Sequence, residues 1–229
     1  FFQVSDSNNE RTGNVAVGME TGYYNVTGTN NTYLGYHSGL GVSGQSNSNN
    51  TAVGSNSLLA VSTGSENTAL GTDALKSNTT AGNNVAVGYY SGQANTTGAG
   101  NTSVGGYSFY TNTTGHSIVA VGYNALKANT TAPNNTGIGY NVLASNTTGT
   151  ENTAVGASAG DAITTGSWNT AIGYVALSSA TTSDGNTAVG REALRDTTIG
   201  ANNTAVGKEA LKLNTTGTSN TAVGFQSGN

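Results

Sequence analysis

The 229-residue sequence has no cysteine and a single proline, and each shortage excludes a class of protein. Without cysteine there is no disulfide scaffold and no thiolate metal site. Without abundant proline in a Gly-X-Y period, the chain is not a collagen. No apolar run approaches the roughly 18 residues that a transmembrane helix needs. The sequence therefore predicts no membrane insertion.

Charge is also scarce, and its balance is acidic. Only 8% of residues are charged, with 7 Lys and Arg against 11 Asp and Glu, which gives a net charge of -4. This balance argues against a nucleic-acid partner, because phosphate binding needs clustered cations. Low charge also argues against ordinary disorder. What the chain has in abundance is 37 Thr, 34 Gly, 31 Asn and 23 Ser.

These residues fall into a regular repeat. A box of the form Asn-Thr-Ala-Val-Gly occurs thirteen times, and eleven of the twelve intervals between copies have the same length of seventeen. The interval from Asn31 to Asn50 is the exception, with a length of nineteen. Gly closes every copy and Asn opens every copy except the one at Ile118. The boxes begin at residues 14, 31, 50, 67, 84, 101, 118, 135, 152, 169, 186, 203 and 220.

The repeat predicts the fold. After the box come Ala-Leu or Ser-Gly and then a turn such as Asn-Thr-Thr-Gly. Seventeen residues are too few for a helical hairpin, and frequent Gly opposes helix. We predict an all-β protein, a parallel β-solenoid (β-roll) of about thirteen 17-residue coils, each with two short strands and two turns. Residues 1–13 form an irregular N-terminal segment and residues 14–229 one solenoid repeat domain.

Strand alternation separates the second and fourth box positions from the third. The fourth position is always Val, Leu or Ile, so we expect it to fill the interior together with the second. The third position, Ala in ten copies, is then expected on a smooth outer face that another chain could approach. The corresponding self-association residues are Ala154, Ala188, Ala205 and Ala222.

The opening Asn and the closing Gly have expected roles of their own. Each Asn amide is expected to bond the same residue of the next coil, as in stacked Asn ladders. Each Gly is expected to supply a corner with positive φ. The core is thin, so stability should come from ladders between neighbouring coils.

The Asn-Thr-Ala-Val-Gly box with Ala-Leu and Asn-Thr-Thr-Gly resembles the head repeats of trimeric autotransporter adhesins. It is also similar to repeats of bacterial and phage tail-fibre-like proteins. The resemblance covers about residues 14–229. It implies a left-handed parallel β-roll, chains side by side, and a role outside the cell or on a virion surface. It implies no catalytic residues, and the period of seventeen is longer than in those heads.

The ends of the sequence suggest a mode of assembly. Phe1 and Phe2 are two apolar rings, and the last coil keeps its box without a polar cap. Uncapped strand edges favour pairing with another copy, and contacts that do not close generate filaments. We therefore expect association with itself, as a homopolymer or a homotrimer, through Phe1, Phe2 and the alanine face.

The sequence offers little for catalysis, and we predict no enzyme, no cofactor and no metal site. The two histidines, His37 and His116, lie in different coils. Glu192 and Glu209 occupy the same position in successive coils and could bind a cation or share a proton. Arg191 and Lys208 lie beside them, which favours a solvated charge patch.

Two further sets of residues are candidates for recognition. Aromatic residues after the box could contact a receptor or a glycan, or simply cover the corner of the coil. The residues are Tyr36, Tyr89, Tyr123, Tyr140 and Tyr174, together with Trp168. Asn-x-Ser/Thr triplets in an expected exposed turn could carry glycans, although turn preference alone explains them. These residues are Asn78, Asn95, Asn112, Asn129, Asn146 and Asn214.

The leading interpretation is a structural subunit of a self-assembling extracellular fibre or adhesin shaft. The alternative is a receptor- or glycan-binding head that uses the exposed tyrosines. Ice binding through threonine rows is a third hypothesis. Expected burial of Thr beside Val counts against it.

Overall fold

A computed structural model describes residues 12–229 and shows a parallel β-solenoid without helices in that range. Each 17-residue repeat forms one coil and carries one three-residue strand at the second to fourth box positions. The predicted fold class is confirmed. Within the described residues the strands are β1 Val15–Val17, β2 Thr32–Leu34, β3 Thr51–Val53, β4 Thr68–Leu70, β5 Val85–Val87, β6 Thr102–Val104, β7 Val119–Val121, β8 Thr136–Ile138, β9 Thr153–Val155, β10 Thr170–Ile172, β11 Thr187–Val189, β12 Thr204–Val206 and β13 Thr221–Val223.

The chain divides into two compact units, one ending at His116 and the other Ser117–Asn229. The first contains β1 to β6 and the second β7 to β13. Within each unit every strand pairs in parallel with its neighbour in the chain, residue for residue. Thr170 is thus aligned with Thr187, and Thr187 with Thr204.

The second strand that we expected in each coil is absent from the described residues. The backbone there alternates between residues with positive φ and residues with negative φ, which is incompatible with a strand. In the coil of β11, Glu192 and Leu194 have φ of 59° and 49°. The Leu194 amide donates to Ala210 of the next coil at 3.1 Å, and the Ala193 amide donates within its own coil to Gly190 at 3.2 Å. Coils are therefore hydrogen-bonded around their turns as well as along the sheet.

The interior is built from Ala and Leu. Ala188 of the strand and Ala193 and Leu194 of the turn are each fully buried. A leucine with positive φ destabilises the fold by roughly 1–3 kcal/mol of backbone strain. Burial of its side chain stabilises the fold by about 1.5–3 kcal/mol. Packing and hydrogen bonding between coils hold it there. The same left-handed, buried position is taken by Leu58, Leu75, Leu126, Leu143, Leu177, Leu194 and Leu211.

Gly92 (after Ser91) and Gly160 (after Ala159) replace the turn leucine, and a leucine of the preceding coil packs against each of them. A Cβ on Gly92 would lie 3.1 Å from a δ-carbon of Leu75, and one on Gly160 would lie 3.0 Å from a δ-carbon of Leu143. In these two coils the neighbouring leucine thus lies close to the position that a glycine Cβ would take.

The predicted positive φ of the box glycine is confirmed. Gly190 has φ of 135°, and a Cβ there would lie 2.4 Å from the carbonyl oxygen of Gly207. Any side chain would strike the backbone of the next coil. This contact between coils explains why the glycine closes all thirteen boxes.

The expected orientation of the strands was wrong. Ala154, Ala188, Ala205 and Ala222 point inward and are 0–9% exposed. The flanking residues point outward, for example Thr153 and Val155 on either side of Ala154. Both Ala and Val are apolar, so alternation alone did not say which face is inside. Coils with a buried turn leucine have Ala or Gly at the third box position, whereas Tyr33 is buried at this position in a coil that has Gly39 in place of the leucine.

Candidate functional site

The opening asparagines form the predicted ladder inside the solenoid. The Asn203 amide N–H donates to Oδ1 of Asn186 at 2.9 Å, and Nδ2 of Asn203 donates to the same oxygen at 3.1 Å. Nδ2 of Asn186 also donates to the Gly200 carbonyl oxygen at 2.9 Å. Each Asn therefore ties its coil to the next and closes the coil on itself. The ladder prediction is confirmed.

A second, internal ladder involves most of the asparagines proposed as glycan sites. Nδ2 of Asn95 donates to Oδ1 of Asn78 at 3.0 Å and to the Gly98 carbonyl at 2.9 Å. Nδ2 of Asn112 donates to Oδ1 of Asn95 at 2.8 Å.

In the second unit, Nδ2 of Asn146 donates to Oδ1 of Asn129 at 3.0 Å. The next coil has Ile163 at this position, and the buried Oδ1 of Asn146 has no hydrogen-bond partner.

The exposure expected for these asparagines was wrong. The side chains of Asn78, Asn95, Asn112, Asn129 and Asn146 are fully buried, and Asn214 is half-buried with Nδ2 donating to Gly217 at 3.1 Å. A glycan is attached through the amide nitrogen, and these nitrogens point into the coil. A glycan at the five buried positions is incompatible with this fold.

In each of the two units the outward strand face carries two columns of side chains. One column is Thr, with Val at Val15, Val85 and Val119, and the other is Val, Leu or Ile throughout. Val17, Ile138 and Val223 of the second column are 47%, 40% and 70% exposed. No charged residue occurs in either column of the described strands. We call this surface the Thr/Val face. It takes the place of the alanine surface expected from the sequence.

The aromatic candidates lie outside the coil, as a contact role requires. Tyr36, Tyr89, Tyr123, Tyr140 and Tyr174 are 48–56% exposed and Trp168 is 60% exposed. Tyr123 and Tyr140 stack with ring centroids 6.0 Å apart and planes at 11°. Their role in binding stays a prediction. Phe1 and Phe2 lie outside the described residues.

Acidic and basic side chains form one compact network in the second unit. Glu192 contacts Lys212 at 2.6 Å, Arg191 at 2.7 Å and Arg195 at 3.1 Å. Hydrogen bonding from Lys212, with a smaller contribution from Arg191, lowers the pKa of Glu192 to about 2. Glu209 contacts Lys208 at 3.3 Å, and its pKa is lowered chiefly by a hydrogen bond from Gln226. Both glutamates are thus ion-paired carboxylates in a structural charge network.

The lowered pKa of Glu192 predicts acid-sensitive stability. A folded pKa below the unfolded value stabilises the fold above about pH 4.5, and this contribution is lost as pH falls toward about 2. Glu192→Gln should therefore have a lower melting temperature than the wild type at pH 7. The difference in melting temperature between the two proteins should become small by pH 2. Thermal unfolding monitored by circular dichroism at pH 7, 5, 3 and 2 measures this. The exposed Glu151→Gln is the control, and equal pH profiles for both variants would contradict the assignment.

The histidines have local partners. His37 stacks on Tyr36 with centroids 3.6 Å apart and contacts Glu20 through Nε2 at 2.8 Å. His116 is exposed. Among residues 12–229, no group of three or more His, Asp or Glu side chains is placed to hold a metal ion. In that same range no helix is long and apolar enough to cross a membrane.

No family model, curated protein or solved structure matches this chain. Its class is therefore given by the fold alone, as a parallel β-solenoid of 17-residue coils.

Proposed function

We propose that the chain is a structural, self-associating subunit of an extracellular fibre or adhesin shaft, displayed on a cell or virion surface. The observation that carries the proposal is the exposed Thr/Val face. In the second unit its apolar column includes Ile138 at 40% and Ile172 at 39% exposure. Contiguous exposed apolar surface is typical of protein contacts. The resemblance to adhesin heads and tail-fibre repeats favours the same role.

The occupant that best fits this face is a second copy of the chain. A second copy carries the same two columns at the same strand spacing of about 4.8 Å, so contacts repeat coil after coil. The columns carry no charge that would repel a like surface. Each coil contributes a small contact area, and the total contact area between two copies grows with the number of coils that touch.

Charges placed on the Thr/Val face should abolish association. Ile172→Lys combined with Val189→Lys would bring two ammonium groups into each contact, because an unpaired charge is costly to bury. We expect the wild type to sediment as oligomers or fibres and the variant as a 22.8 kDa monomer. Sedimentation velocity and negative-stain electron microscopy measure both states.

The control replaces side chains that lie off this face. The fold should tolerate Tyr123→Thr with Tyr140→Thr, since Thr72 occupies the same position of another coil. Association should stay intact because these side chains lie outside the Thr/Val face. A wild type that stays monomeric up to millimolar concentration would overturn the proposal. Association that survives the lysine pair would place the contact on another surface.

Ice binding is a second candidate because the threonines point outward. Thr170, Thr187, Thr204 and Thr221 stand in register on neighbouring strands, with hydroxyl and methyl groups repeating at about 4.8 Å. The expectation that Thr points inward was the reason against this function, and it was wrong. Ice binding is tested by measuring the thermal hysteresis of the monomeric lysine variant and of dilute wild-type protein. Absence of activity in the dilute wild type removes the candidate.

A further inference from the structure

Four tyrosines gather on the surface of two successive coils in the first unit. Tyr89 and Tyr90 follow β5, and Tyr107 and Tyr110 follow β6. The ring centroids of Tyr89 and Tyr107, and of Tyr90 and Tyr107, are 5.5 Å apart, and those of Tyr107 and Tyr110 are 5.6 Å apart. Tyr90 and Tyr107 are stacked, and the other ring contacts in the group are edge-on. We call these four residues the tyrosine cluster.

The cluster is not needed to fill the coil. The interior of these coils is provided by Ser91, Ser108 and Phe109, which are 0–1% exposed. Tyr89 is 48% exposed, and Tyr90, Tyr107 and Tyr110 are partly exposed.

Several other coils have small polar residues at the corresponding positions. Thr72 and Ser55 stand where Tyr89 does, and Asn124 and Ser158 stand where Tyr90 and Tyr107 do. Four aromatic rings on this surface therefore exceed what the repeat requires.

The surroundings of the cluster are electrically balanced. Asp73 precedes Tyr90 at the same position of the previous coil, and its carboxylate is paired with Nζ of Lys76 at 3.1 Å. A hydrogen bond with Tyr90 is the largest cause that raises the pKa of Tyr89. The surface offers ring faces and hydroxyl groups.

We propose that the tyrosine cluster binds the sugar rings of a neutral saccharide. A pyranose has an apolar C–H face and a rim of hydroxyls. Tyrosine presents an apolar ring with a polar tip and holds its geometry at low entropic cost. Partly preassembled rings with a few hydroxyls provide contact area and orientation together. The paired charges of Asp73 and Lys76 leave no net charge to select an anionic or cationic ligand.

This inference goes beyond the proposed structural role. It concerns residues outside the Thr/Val face, so loss of saccharide binding and loss of association can be observed separately. A shaft with such a cluster would attach to a glycan-bearing surface along its side.

The test uses substitutions that the repeat already contains. Tyr89→Thr and Tyr107→Asn copy Thr72 and Asn124, and Tyr107 has φ of 56°, which Asn tolerates. Tyr123→Thr with Tyr140→Thr is the control, a stacked pair in the second unit. Maltoheptaose, cellohexaose, laminarihexaose and chitohexaose are the neutral probes, and heparin hexasaccharide and oligosialic acid are the charged ones. Saturation-transfer NMR and calorimetry measure binding, with circular dichroism as the check of folding.

We expect at least one neutral probe to bind and its affinity to fall about tenfold or more, which is about 1.4 kcal/mol, in the Tyr89/Tyr107 variant because two ring contacts are lost. The Tyr123/Tyr140 variant should bind like the wild type. Binding of no neutral probe, binding of charged probes alone, or equal loss in both variants would overturn the proposal. Association measured in parallel reports on the shaft independently.

Discussion

Replacing Asn186 by Ala should destabilise the protein by about 2–6 kcal/mol, because two buried polar groups lose their partners and each costs about 1–3 kcal/mol when left unpaired. The substitution leaves the Asn203 amide N–H without the Oδ1 that it donates to, and leaves the Gly200 carbonyl without its Nδ2 donor. Asn186 is fully buried, so water cannot replace the lost partners without opening the coil. Chemical denaturation of the variant and the wild type gives the difference in free energy of unfolding.

Thr187→Ala is the matched control for this experiment. It removes a polar side chain from the next residue, but Thr187 points outward and is half-buried. Its cost should stay within about 0.5 kcal/mol, as for most surface changes. Similar losses for Asn186→Ala and Thr187→Ala would contradict the role of the asparagine ladder.

Replacing Ala188 by Leu should cost about 3 kcal/mol, since overfilling a packed interior typically costs about 1–3 kcal/mol or more. Ala188 is 0% exposed and is aligned with Ala171 and Ala205 on the neighbouring strands. Replacing Thr187 by Leu should change stability by about 0.5 kcal/mol or less, because that side chain points to solvent and the leucine has room. Urea denaturation of both variants compares them directly.

The opposite order of stability losses would support the orientation first expected from the sequence, with the Thr and Val side chains inside. A tolerated Ala188→Leu combined with a damaging Thr187→Leu would mean that the Thr/Val columns fill the interior. Equal, small effects would mean that neither face is closely packed.

The period and composition were enough to predict the fold class, the Asn ladder and the glycine corner. Asn186 and Gly190 recur at fixed positions, and each makes its contact with the same residue of the next coil. A repeat that stacks on itself turns sequence spacing into spatial contact. This is why the repeat pattern alone predicted contacts between coils in this chain.

Orientation and exposure could not be read from the same pattern. Val189 and Ala188 are both apolar, and their alternation along the strand does not show that Ala188 is the buried one. Asn95 looks like an exposed turn residue, yet its side-chain amide is buried and donates to the Gly98 carbonyl oxygen at 2.9 Å. The left-handed Leu194 has no sequence signal, because leucine rarely takes positive φ.

The tyrosine cluster was only partly foreseen. Tyr89 belongs to the row that follows the box, and the period identified it. Tyr90, Tyr107 and Tyr110 lie at other positions of the unit, so no single row contains them. Stacking of two coils brings them together, and a register search across neighbouring repeats would have found them.

The proposed mode of association requires Val189 to face solvent and Ala188 to face the interior, and single-cysteine labelling measures this directly. The chain has no cysteine, so Ala188→Cys and Val189→Cys each create one thiol. Under native conditions and at a concentration where the chain is monomeric, maleimide should modify the Val189→Cys thiol rapidly. It should modify the Ala188→Cys thiol only after denaturant is added. Rapid labelling at position 188 with protection at position 189 would contradict the Thr/Val face, and with it the proposed mode of association.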